Sequence, residues 1–342
     1  MLVAIAASGL SSSAQEAPFA ITPSDVAQAP GTDTAEPFSI TSSDVAATSG
    51  RQLVYQGTES AGDAAITNNE GDSVDFVDHS TAAQATIVNN SGGTASFSDH
   101  ASAGSAFMTN NSGSSISFSG EATAAGANIT NNGGGTITFS DTSDAGNAAV
   151  ANNGDISFRD STSANQANIV NNAGANVTFT DQANGGTGQI TNNGAVAFSG
   201  DASAGQMLLI NNEGATLDFS GNSTADAAAV TNNGQLGFAD SATAGTSSIV
   251  NNESGVVVFS GTSTAGSSFI ANSGKTSFEG NSTAGSAEIV NNATGTVALS
   301  GNATLGSASV NNGGDVVFSG NASAGSASIV TGPEGRTIFT GN

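Results

Sequence analysis

The feature that most restricts this chain is an internal repeat built on two apolar columns. A large apolar residue ahead of a Ser, Gly or Asp turn stands at Phe76, Phe97, Phe118, Phe139, Phe158 and so on to Phe318 and Phe339, with Leu299 once in its place. A second apolar residue precedes an Asn pair at Ile66, Ile87, Met108, Ile129, Val150 and onward to Ile329. From each Phe-type position to the next Ile-type position is always 11 residues, while the return takes 10 in some units (66 to 76) and 8 in others (150 to 158). The difference of two is even. Strand side chains alternate faces with period two, so an even change leaves every inward residue inward.

Each unit reads roughly A-x-I-x-N-N-x-G-x-x-V-x-F-S-G-x-S-T-A-G, with short alternating stretches such as Ala287-x-Ile289 and Val297-x-Leu299. That is the period of a strand with one buried face. Asn and Gly punctuate the stretches where turns need positive φ. One such unit cannot bury its own apolar face. Stacked units put Phe on Phe and Ile on Ile and close a continuous core, with backbone hydrogen bonds running between units. The repeat therefore predicts an all-β fold, a parallel β-helix of about fourteen coils with 19- and 21-residue repeats. At about 4.8 Å per coil this is a rod of very roughly 65 Å. Parallel crossovers are almost always right-handed, so a right-handed solenoid is expected. The Asn pairs (171 with 172, 251 with 252) are expected to form amide ladders along the stack.

Composition narrows function more than fold. The 342 residues hold 28 acids against four bases, Arg51, Arg159, Lys275 and Arg336, for a formal charge of −24. Phosphate backbones need a basic face, so nucleic acid is excluded as a partner. Anionic membrane surfaces are disfavoured for the same reason. No apolar run reaches the roughly 20 residues of a spanning helix, so the chain as given is not expected to span a membrane. Without cysteine there is no thiol metal site, and no cofactor is expected.

Segments such as 266–285 and Asn281 to Gly301 (NSTAGSAEIVNNATGTVALSG) resemble the repeats of bacterial autotransporter passenger domains, of the pertactin-like, pectin-lyase-like kind. The resemblance spans about Thr58 to Asn342. It implies a surface β-helix, an adhesin or a carrier of surface effectors, associated with the outer membrane. Such proteins end in a membrane barrel, whereas here Phe339-Thr340-Gly341-Asn342 falls within a repeat. The open last coil is then an edge for end-to-end contact.

Ahead of the repeats, residues 1–14 (MLVAIAASGLSSSA) resemble a secretory signal peptide with a small-x-small ending, although a basic start is missing. Residues 15–57 hold four of the five prolines and a near-duplicate, Pro18 to Ala27 (PFAITPSDVA) and Pro37 to Ala46 (PFSITSSDVA). The expectation is an extended segment, with a short motif or a cap strand over the first coil as its sharper form. The repeat domain is then 58–342.

Two groups of polar residues are candidates for metal. Two residues after the Phe, Asp141, Asp160 and Asp181 are consecutive in one column, where Asp alternates with Gly. Stacked carboxylates repel unless a cation intervenes, which makes a Ca²⁺ site conceivable, while a turn column in which Asp replaces Gly is the simpler expectation. His79 and His100, the only histidines, lie 21 residues apart and in register beside Asp78 and Asp99, a set rich in metal-ligand types that duplication of one coil also explains. Neither supplies a nucleophile with its base or an acid pair with cationic partners, so no catalytic residue is assigned.

The leading expectation is a secreted or cell-surface rod, non-catalytic, acting as adhesin or stalk on host or cell-surface ligands. A ligand-binding solenoid is the rival, Ca-dependent or taking ice through the Thr/Ser column five residues after the Phe (Thr81, Ser102, Thr123, Thr224, Thr243), which Asp144 and Asn184 interrupt. A polysaccharide-degrading enzyme is third, and the scarcity of bases opposes it.

Overall fold

The computed structural model describes residues 20–21, 39–40 and 50–340. Two parallel sheets run the length of a solenoid, and the chain alternates between them. Strands ending in the Phe-type residue, from Gln52–Tyr55 and Ser73–Phe76 to Arg336–Phe339, form the Phe sheet. Strands ending in an inward Asn, from Ala65–Asn68 to Ser309–Asn312, form the Asn sheet, closed by Ser328–Thr331. The register is the one the repeat demands: Phe198 pairs with Phe179 and Phe219, and Ile190 with Ile169 and Leu209. A third corner is held by single-residue parallel bridges from Ser60 through Thr81 and Ser102 to Ser323. Among the described residues there is no helix. The fold is an all-β parallel solenoid of about fourteen coils.

Alternation fixes what each strand buries. The second and fourth residues point in and the first and third point out, as in Thr86–Asn89 and Leu208–Asn211. Rings from Tyr55 through Phe278 then stack in one unbroken column, with centroids 4.5–4.9 Å apart and planes within 10°. Leu299 interrupts it, and Phe318 with Phe339 resumes it. The spacing is the pitch of the stack, so ring packing and backbone ladder agree.

The inward Asn of each pair is buried without exception from Asn68 to Asn312. Its amide does two jobs. In Asn171 one N–H goes to Asn192 Oδ1 (2.9 Å) and another to the Ala195 carbonyl across the corner (3.0 Å). The same pair of bonds recurs up the rod, as at Asn232 and Asn251. The ladder therefore ties coil to coil and Asn sheet to Phe sheet at once. Burying so many amides is tolerable only because each is satisfied. The second Asn forms a shorter outer ladder in which the later residue donates to the earlier, as Asn212 to Asn193.

The two coil lengths differ at this corner. Several of the 21-residue coils turn through a glycine at positive φ (76–82°), as at Gly92, Gly134 and Gly174. The 19-residue coils cut the corner at Gly154, Gly194, Gly234, Gly274 and Gly314. There a Cβ would lie 2.2–2.4 Å from a carbonyl oxygen of the coil before, so only glycine fits.

Small residues fill the narrow corner opposite. The column four residues after the Phe mixes Ala and Ser (Ala242, Ser263, Ser282, Ala303), and these four are fully buried. Ser263 Oγ and Ser282 Oγ have no hydrogen-bond partner. An unpaired buried hydroxyl costs desolvation with no return. Ser263→Ala is therefore expected to stabilise the rod by about 1 kcal/mol, read as a raised midpoint in urea melts. An equal loss instead would show that the hydroxyl is bonded.

The stack begins ahead of Thr58, the start suggested by the Phe and Asn-Asn columns. Gln52–Tyr55 already pairs with Ser73–Phe76, because Tyr55 takes the Phe position and stacks on Phe76 at 4.8 Å. Beyond it lie two dipeptides, one from each copy of the duplicated motif. Ala20–Ile21 pairs with Gln52 and Leu53 on the Phe sheet, and Ser39–Ile40 with Ala65 and Ile66 on the Asn sheet. Each copy of the duplicated motif thus places one dipeptide beside a strand of the stack. The signal-peptide reading of residues 1–14 lies outside the described residues.

Two of the four cations lock the first and last full coils. Arg51 grips Asp72 with Nε and a terminal nitrogen, and Arg336 grips Asp315 in the same way. Burial alone would raise the Asp72 carboxyl. The Arg51 guanidinium, the N–H groups of Asn69 and Arg51, and the opposite charge together hold it below its usual value. Its contribution is therefore present above the ordinary carboxylate range and is lost as pH falls through that lowered pKa.

Candidate functional site

Outward side chains and turns are what a solenoid offers to the outside, and each column has its own chemistry. In the turn after the Phe, the residue two places on has positive φ, whether Gly or Asp: Asp78, Asp99, Asp141, Asp160, Asp181 and Asp240 lie at 55–60°. Asp tolerates this conformation, and its carboxylate finds a partner there. Asp160 Oδ2 accepts the Asp141 N–H (3.1 Å), Asp181 Oδ2 the Asp160 N–H (3.2 Å), and Asp141 Oδ2 the Gly120 N–H (2.9 Å). The column is thus brought together as expected, and each acid caps the turn amide of the coil before.

The Thr/Ser column is also occupied. Thr81, Thr123, Thr243 and Thr264 accept the N–H two residues on with their hydroxyls at 2.9–3.0 Å. These are turn-forming bonds. Each of these hydroxyls keeps its own O–H and a second lone pair beside the turn bond.

His79 and His100 do meet. Their rings stack with centroids 4.8 Å apart and planes at 7°. The coil above contributes Glu121, whose Oε2 is 3.2 Å from His100 Nδ1, a neighbour the search by histidine alone did not supply. The backbone sets this up, because His79, His100 and Glu121 each donate their N–H to a carbonyl of the coil below (Gly57, Asp78 and Asp99). Asp78, His79, Asp99, His100, Gly120 and Glu121 line one shallow hollow. Among the described residues no three His, Asp or Glu side chains converge, as they stand, into a group that could hold a metal ion.

The largest feature is a face. The Asn sheet presents 28 outward positions, two from each of its fourteen four-residue strands, and only Glu288 is charged. The Phe sheet carries Asp75, Asp155, Asp218, Lys275, Asp315 and Arg336 on its equivalent positions. Among the described residues, six of the seven exposed large apolar side chains lie on the Asn sheet: Phe107, Val170, Leu208, Val250, Phe269 and Val330. Phe107 is 58 % exposed. The signal was in the sequence, at the first and third residues of each strand ending in the Asn pair, and it was hidden by the stronger inward pattern.

Fold and face together define a long, acidic β-solenoid with one neutral, partly apolar side. No protein-family model matches the chain, and no curated protein does. Among solved structures, the crystal structure of a TibC-catalysed, hyper-glycosylated TibA fragment overlays 84 % of this chain and 97 % of that one, at 18 % identity and a TM-score of 0.33. An overlay of that score carries no argument about function, and the solenoid stands on its own strand register.

Proposed function

We propose that this chain is a non-catalytic rod of the bacterial cell surface, an adhesin that meets its partner surface along the Asn sheet. The observation that carries this reading is the segregation of charge. Beyond residue 50 the chain has 23 acids (28 less Glu16, Asp25, Asp33, Glu36 and Asp44), and one of them stands on the outward positions of this sheet. A surface that gathers most of the exposed large apolar side chains while excluding charge has the make-up of a contact face. The repeats' resemblance to passenger domains supports the same reading and the extracellular location. The scarcity of bases, two of them held by Asp72 and Asp315, supports a non-catalytic role.

The test is to charge the face. The triple variant Phe107→Asp, Leu208→Asp and Phe269→Asp alters only exposed positions, so circular dichroism and the melting curve should stay close to the parent. Adsorption to cultured epithelial cells is expected to fall at least tenfold, about 1.4 kcal/mol. Unchanged adsorption would remove the face from the proposal. Sugar release from a polymer, abolished by one Asp substitution, would replace the adhesin with an enzyme.

A further inference from the structure

We propose that His79 and His100 chelate a borderline divalent transition-metal ion such as Zn²⁺, Ni²⁺ or Cu²⁺, stapling two successive coils at the start of the rod. The two residues are the only histidines of the chain, and the fold stacks them on adjacent coils at one corner.

The spacing puts two exposed imidazoles within reach of one ion. Equivalent ring atoms are separated by about the coil pitch, since the centroids lie 4.8 Å apart in nearly parallel planes. Two nitrogens at the usual Zn–N distance of about 2.0–2.1 Å sit roughly 3.4 Å from each other in tetrahedral coordination. Imidazole lone pairs lie in the ring plane, so the two rings must also swing out of their parallel stack, by roughly 50° each, until their nitrogens converge on one ion. The His100 side chain is 50 % exposed and faces an open hollow, so nothing packed must move.

The neighbours are suited to the same task. Glu121 Oε2 faces His100 Nδ1 at 3.2 Å, which leaves Nε2 for the metal. A carboxylate behind a ligating imidazole fixes the ring and raises its basicity. Asp78 and Asp99 line the hollow. Each spends Oδ2 on a turn amide, of Gly57 (2.9 Å) and Asp78 (3.2 Å). On a chain of charge −24 these acids concentrate cations near the imidazoles. Ligand softness selects the ion: imidazole suits Zn²⁺, Ni²⁺ and Cu²⁺, whereas Ca²⁺ and Mg²⁺ prefer a full oxygen shell. With two imidazoles as protein ligands, water completes the coordination, and the ion exchanges freely.

Calorimetry on the full chain with ZnCl₂, NiCl₂ and CuCl₂ is expected to show one ion per chain in the micromolar range, with little heat from CaCl₂. His79→Gln and His100→Gln should each remove the binding while leaving the circular dichroism unchanged. Glu121→Gln should weaken it about tenfold. Zn²⁺ should raise the melting temperature of the parent and not that of the double His variant. Binding that persists in the double variant, an equal isotherm with CaCl₂, or no heat with any of the three transition metals would each overturn the proposal.

Discussion

Phe219→Asp is expected to unfold the middle of the rod, whereas Ser220→Asp, one residue on, should be nearly silent. Phe219 is fully buried, with ring centroids 4.8 Å from Phe198 and 4.9 Å from Phe238. Removing the ring costs about 3–5 kcal/mol in lost burial and cavity. A carboxylate in its place must desolvate or drive the coil open, which lifts the total beyond about 5 kcal/mol. Because coils contact only their neighbours, the damage should split one cooperative melt into two, from the halves on either side. Ser220 stands in the turn, where an acid changes stability by about 0.5 kcal/mol or less. Thermal and urea melts followed by circular dichroism decide it. If both variants melt alike, the inward assignment of the Phe column is wrong.

The second large effect is expected from one atom. In Asn211→Asp the side chain keeps its shape, but an oxygen replaces Nδ2. That nitrogen donates to Asn232 Oδ1 and to the Gln235 carbonyl, both at 2.8 Å, while Oδ1 receives the Asn192 amide. The variant leaves two buried acceptors unpaired and turns an anionic oxygen toward them, at a cost on the order of 4 kcal/mol. Such a carboxyl has its folded pKa raised, so the loss should shrink as the solution is acidified toward about pH 4, where protonation returns one donor. Asn212→Asp is the control. Asn212 belongs to the partly exposed outer ladder and donates to Asn193, so its loss should stay near 1 kcal/mol. A mild Asn211→Asp with a flat pH profile would show that the inner ladder is decoration on a stack held by its backbone.

Much of this architecture was legible because inward residues repeat without error. Phe and Ile positions kept an interval of 11, and the two-residue change between coil lengths preserved the alternation. Strand order, register and the buried Asn column all followed. What escaped was whatever depends on substitution or on side-chain direction. Tyr55 takes the Phe position without an Asn pair before it, so the columns missed the first four-residue strand of the Phe sheet. The Asp column was visible, but the acceptance of a turn amide by each carboxylate depends on a φ near 58° and a rotamer. The Thr column was visible, but spacing cannot say that its hydroxyls also accept the N–H two residues on. The histidines were placed in register correctly. Glu121 beside them was missed because duplication drew attention to like residues, while neighbours in a column need not be alike.

The difference between coil lengths, and the ladders that hold either length in the same stack, also set how the rod answers a pull. Every coil stores 19 or 21 residues in a rise of about 4.8 Å, and the same residues drawn out span roughly 65–70 Å. Strands lie across the axis, so tension between the two ends meets the inter-coil bonds one rung at a time, as a zipper does, instead of loading them all in shear. The terminal coil peels while the remainder stays wound, and each release lengthens the tether more than tenfold over the height it gives up. The newly exposed rung is the same template as the one just lost, so slack lets the chain wind back on. A tether of this build limits the force passed to its attachment by paying out length.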